Sequence, residues 1–167
     1  DEPLSSLDRG LREHLVGVLE HTMRATGTPG LYVTHDQDEA FAIADRIAVL
    51  SGGRLLQLAP PAELWRHPAN AEVAGFLGYG PILSAAEAGA LGWPGEIAGR
   101  VALGPDGLVE HPGGVVVPVL EVTPGRGHHA VTVRLPGGAP ADLRATEPPA
   151  AHLAVRIDPA GCAVLQE

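Results

Sequence analysis

At 167 residues the chain is long enough for one compact domain or two small ones. Its net charge is −9, and its 11 basic residues are all arginine and form no run, which argues against nucleic-acid binding through phosphate neutralisation. One cysteine excludes a disulfide framework and a cysteine-rich zinc site, and no apolar run reaches the ~18 residues of a membrane helix. Without a charged-then-apolar leader, the chain reads as cytoplasmic or as lacking its true start.

The chain opens on DEPLSSLD. Pro3 disfavours helix at Glu2, so Glu2 reads as extended, like the last residue of a strand. Adjacent carboxylates at a strand end can divide labour, one holding a divalent metal and the next polarising a water; a solvated loop is the plainer reading. Ser5 and Asp8 have the spacing of a capping box ahead of a helix. Leu11, Leu15, Val18, Leu19 and Met23 recur at helical spacing, with Arg9, Arg12, Glu13, Glu20 and Arg24 opposite, which predicts an amphipathic helix from about Leu7 to Ala25.

GTPG stops that helix, and LYVT (Leu31 to Thr34) reads as a short apolar strand. THDQDEA follows, with Asp36 and Glu39 spaced as cap and N3 residue of a second helix over about Gln37 to Ala44. His35 falls between strand end and cap, where open α/β sheets gather ligand-binding residues, although a lone histidine there is equally a structural one. RIAVL, SGGR and LLQL predict a β-hairpin around Gly52-Gly53. After Pro60-Pro61 come short helices near Ala62 to Arg66 and Ala71 to Leu77, the second capped by Asn70.

The composition changes at Gly78. Of 16 prolines and 22 glycines, 11 and 14 lie beyond it, so the boundary between two domains is expected within Gly78 to Pro94. SAAEAGALG predicts a helix with Ser84 and Glu87 as capping box. EIAGRVAL, GLVEH, VVVPVLEV, HAVTVRL, ADLRAT, HLAVRI and CAVLQ then read as closely spaced strands of a small barrel or sandwich. The expected class is α+β: an α/β piece over residues 1–78, a linker with a short helix over 79–94, and an all-β barrel or sandwich over 95–167.

Taken in order, DEPLSSLD, a helix, a short strand, THDQDEA, ADRIAVL and GGRLLQ resemble the C-terminal half of the nucleotide-binding subunit of ABC transporters. LAPPAELWRHPANAEVAGFLG resembles the exit from that domain in importers of the iron, polyamine, sulfate and sugar type, which continue into an OB-like regulatory barrel called TOBE. The resemblance implies that DE ends the Walker B strand, with Asp1 in the Mg²⁺ shell and Glu2 as general base for the water attacking the γ-phosphate of ATP. It makes Ser5 to Asp8 the loop that crosses to a second copy of the subunit, and His35 the switch histidine on the γ-phosphate. It further implies transmembrane permease partners and a peripheral position on the inner face of the cell membrane. An acid–metal pair and an imidazole donor suit phosphoryl transfer, which needs positioning and charge stabilisation above all.

The chain departs from that family in several places. No G-x-x-x-x-G-K-[ST] loop occurs, nor could one without lysine, and LSGGR (Leu50 to Arg54) lies after His35 as a hairpin turn rather than as the family's signature. The chain therefore reads as a fragment that begins at a Walker B strand end, expected by itself neither to bind ATP tightly nor to hydrolyse it. Where relatives carry Arg-Pro-Glu in the barrel, this chain has Gly104-Pro105-Asp106. Ferric iron is the cargo the resemblance favours over sugar. Two other readings remain open. One is a His-Asp metal phosphohydrolase using His35-Asp36, with His14 and His21 on one helix face that a solvated helix explains equally well and His128-His129 read as a loop rather than a metal site. The other is a non-enzymatic barrel that senses a ligand or joins two subunits.

Overall fold

The computed structural model describes residues 8–166, the side chains of Arg9, Arg12 and Glu13 excepted. The chain forms two compact units, residues 1–64 and 65–167.

In the first unit, helix α1 (Arg9–Thr26) packs on α2 (Gln37–Ile43), and β1 (Ile47–Ser51) pairs with β2 (Arg54–Ala59). The cap of α1 is Asp8, not Ser5: its extended backbone (ψ 157°) ends the non-helical segment and its Oδ1 accepts from the Leu11 amide at 3.0 Å. The helix therefore begins later than its capping-box spacing implies. Its apolar stripe also differs from expectation. Val16 is the buried residue, whereas Leu11, Val18 and Leu19 remain 38–47% exposed. The hairpin forms as its sequence dictates, with Gly52 and Gly53 at φ 55° and 74°, the left-handed pair that a two-residue turn demands.

Leu31 to Thr34 belongs to no sheet, contrary to the strand expected there. A strand is completed by a neighbour's backbone groups, and no described strand pairs with this segment. Its side chains still alternate: the hydroxyls of Tyr32 and Thr34 turn to Glu39, while Leu31 is 94% and Val33 46% exposed.

The second unit takes in the end of α3 (Pro61–Arg66), then α4 (Ala71–Phe76) capped by Asn70 Oδ1 on the Val73 amide at 2.9 Å. After β3 (Ile82–Leu83), α5 (Ala85–Ala90) opens on the reciprocal Ser84–Glu87 capping box. Then come β4 (Arg100–Leu103), β5 (Leu108–Pro124), β6 (His129–Arg134), β7 (Pro140–Ala145), β8 (His152–Ile157) and β9 (Cys162–Leu165). Two antiparallel sheets result, ordered β3-β4-β9 and β7-β6-β5-β8. Their inward residues, among them Leu83, Val101, Leu103, Val117, Val133, Leu143, Val155 and Ile157, meet with Ala88 and Leu91 in one core. The fold is thus an α+β mixture, as its sequence implies. Rather than two strands, GLVEH and VVVPVLEV form the single β5, because Glu110 and Val115 both pair with Val155 and residues 111–114 bulge out between them.

Candidate functional site

His35 occupies a bend between segment 31–34 and the cap of α2, and it is exposed. The backbone on both sides of it is tied down. Asp36 caps α2, its Oδ1 accepting from the Glu39 amide at 3.2 Å, and the Asp36 amide donates to Thr34 Oγ1 at 3.0 Å. The Thr34 hydroxyl in turn donates to Glu39 Oε2 at 2.7 Å, and Tyr32 Oη donates to the same oxygen at 2.8 Å. Glu39, 8% exposed, is the buried charged side chain among the described residues. An exposed imidazole held at a helix start can donate a hydrogen bond to an anion approaching that end.

Of the other expected site residues, Asp8 is at the N-terminus of α1, where its carboxylate serves as helix cap. Asp1, Glu2 and Ser5 lie outside the described residues. Glu39 is the residue whose role sequence reasoning missed. Its spacing from Asp36 reads as a capping box, but the Asp36 amide donates to the Thr34 hydroxyl, and the Glu39 carboxylate accepts from the Tyr32 and Thr34 hydroxyls. The signal available was the pair of hydroxyl residues two apart, Tyr32 and Thr34, on one side of LYVT.

Among the described residues no group of three or more His, Cys, Asp or Glu side chains could hold a metal ion. Asp36 is occupied as a cap, His128 Nδ1 lies 3.2 Å from the Arg126 carbonyl, and His14 and His21 are exposed on α1. LSGGR is the β1–β2 turn. In the second unit a recess of about 300 Å³ lies between α5 and the β6–β7 turn, lined by Leu83, Glu87, Leu91, Leu135 and Pro136. The Glu87 carboxylate at its edge accepts from Ser84 Oγ at 2.7 Å and the Ser84 amide at 2.8 Å, and these bonds hold it below the usual carboxylate range.

The chain's sequence sets its class: the chain's homologues are the ATP-binding subunits of ABC importers. The chain is 41% identical to the Fe(3+) ions import ATP-binding protein of Streptomyces coelicolor, over 99% of its own length and 44% of that protein's. It is 40% identical to the sn-glycerol-3-phosphate import ATP-binding protein of Cupriavidus pinatubonensis, over 93% of this chain and 40% of that one. With the spermidine/putrescine import ATP-binding protein of Roseobacter denitrificans it shares 50% identity over 47% of this chain and 22% of the other. The chain thus spans less than half the length of these relatives. No family model matches it.

Proposed function

We propose that the chain is the C-terminal part of the ATP-hydrolysing subunit of an ABC importer. The observation that carries this reading is His35, exposed at the start of α2 and fixed by hydrogen bonds on both sides, in a chain that matches an iron importer's ATP-binding protein over 99% of its length. In this reading His35 donates to the γ-phosphate of ATP and stabilises charge there as the transferring group leaves. Asp1 would hold Mg²⁺, Glu2 would act as general base, and Ser5 to Asp8 would cross to a second copy of the subunit. Bound Mg²⁺ would neutralise phosphate charge; the chain's own residues orient the nucleotide and handle the proton of the attacking water.

Residues 1–78 would then be the nucleotide-binding portion, 79–94 the linker, and 95–167 an OB/TOBE-like regulatory barrel. The subunit would be peripheral on the inner face of the cell membrane, docked on permease subunits; no described helix is long and apolar enough to cross the membrane by itself. Ferric iron is the proposed cargo, resting on the iron-import relative's coverage of nearly the whole chain. A second reading, a ligand-sensing module without enzymatic activity, draws on the recess beside Glu87.

Replacing His35 tests the first reading. In the intact subunit His35→Ala should lower ATP turnover by roughly 10²-fold or more with little change in ATP affinity; unchanged turnover overturns the assignment. The 167 residues contain no lysine and hence no phosphate-loop lysine. Calorimetric titration of this chain with Mg-ATP should therefore show no micromolar binding, because a triphosphate needs a cradle of backbone amides and that lysine.

A further inference from the structure

Burying a carboxylate is costly unless hydrogen bonds replace its water. At 8% exposure Glu39 has been withdrawn from water, and two of its partners are hydroxyls from the four-residue segment that leads into His35. Among the described residues no strand of a sheet pairs with that segment, and side-chain hydrogen bonds tie it to α2. Thr34 Oγ1 gives its proton to Glu39 Oε2 and accepts the Asp36 amide, so its rotor is set from both directions. The residue before His35 and the residue after it are thereby joined through one hydroxyl, whose orientation depends on the carboxylate. Glu39 itself sits in the first turn of α2, whose cap is Asp36. The carboxylate orders the hydroxyl, the hydroxyl orders the bend, and the bend carries the imidazole.

We infer that Glu39 is a positioning residue, which acts through Tyr32 and Thr34 to hold the His35 bend so that the imidazole points where an anionic group is to be met. The inference rests on the reading of His35 as a γ-phosphate contact. A helix-capping role would have the Glu39 carboxylate accept from the Asp36 amide, and Thr34 takes that amide. A purely stabilising role is separable, because an apolar residue of similar volume at a buried site can match a buried carboxylate in stability but cannot accept two hydroxyls.

The test compares Glu39→Gln and Glu39→Leu in the intact subunit. Glutamine keeps an oxygen that accepts from Tyr32 and Thr34, whereas leucine fills the space and accepts from neither. The leucine variant should lose roughly ten- to a hundred-fold in kcat, the scale of a misplaced reacting group, with KM for ATP within about two-fold and glutamine within about three-fold of the parent. Thr34→Val and Thr34→Ser provide a second pair that spares the buried carboxylate: serine should retain turnover and valine should lose it. The inference is overturned if the leucine and valine variants turn over ATP at the parent rate. It is equally overturned if glutamine is no better than leucine, or if the loss lies in KM. His35→Ala separates the two levels: normal turnover in that variant defeats the reading of His35, whereas loss in His35→Ala with none in Glu39→Leu or Thr34→Val defeats only the role of Glu39.

Discussion

Burial pushes the Cys162 thiol up to about 11; a backbone hydrogen bond at Gly104 opposes the rise and the Asp158 carboxylate adds to it. Tyr79 is pushed up to about 12, by burial first and the neighbouring Cys162 second, while its hydroxyl donates to the Trp65 carbonyl at 2.7 Å. Both are acids that keep their protons longer folded than unfolded. Between pH 9 and 11 for the thiol, and between 10 and 12 for the phenol, the unfolded chain releases a proton that the folded chain retains, so stability must fall as pH rises through those windows. Urea midpoints taken from pH 8 to pH 11 should decline, and Cys162→Ala should flatten the decline; an unchanged slope in that variant would show that the thiol is not responsible. Residue-scale features of this local kind were legible in advance. Asn70, Asp36 and the Ser84–Glu87 box cap the helices that their types and spacing announce, since a cap is decided within four residues of chain. Glu39 was not legible, because which of two donors a carboxylate serves depends on where Thr34 turns its hydroxyl.

At the scale of elements, the single strand β5 depends on a close approach that no other side chain permits. Between Glu110 and Val115 the strand bulges, and a Cβ on Gly114 would fall on the Val155 carbonyl oxygen and clash with that residue's backbone. Gly114→Ala should therefore push β5 from β8 and destabilise the second unit by about 1–3 kcal/mol, the usual cost of overpacking. Denaturation of the variant checks this, and a midpoint within error of the parent would mean that the bulge rearranges freely. The glycines and Pro112 are what made this stretch read as two strands, since a turn and a bulge share their punctuation until pairing partners are known. The reverse error occurred at Leu31 to Thr34. Its residue types suit a strand and its side chains alternate, yet strand character is not a property of one segment. The hairpin of β1 and β2 was legible because it carries both of its strands and its turn in thirteen residues, Ile47 to Ala59.

At the scale of the whole molecule, the composition changes at Gly78 but the contacts divide between Leu64 and Trp65. The reason is visible in the second unit. The Tyr79 amide donates to the Ala74 carbonyl, the Gly80 amide donates to Leu103, and the Tyr79 ring packs on Trp65 with centroids 5.1 Å apart. These bonds bind α4 and the end of α3 to β4, although no turn-rich composition marks residues 65–78. The two units differ in how much apolar surface each buries. In residues 65–167 both sheets and α5 close on one core, whereas the first unit leaves Leu31, Leu50, Leu55 and Leu58 between 43 and 94% exposed. A unit with its own core can fold alone, and one with an open apolar face invites association. A chain of residues 61–167, which keeps α3 whole, should thus give amide resonances from β3 to β9 that overlay those of the full chain, and should bind less of a dye that reports apolar surface. Collapsed or shifted resonances throughout the sheets would show instead that the core of the second unit depends on residues before Pro61.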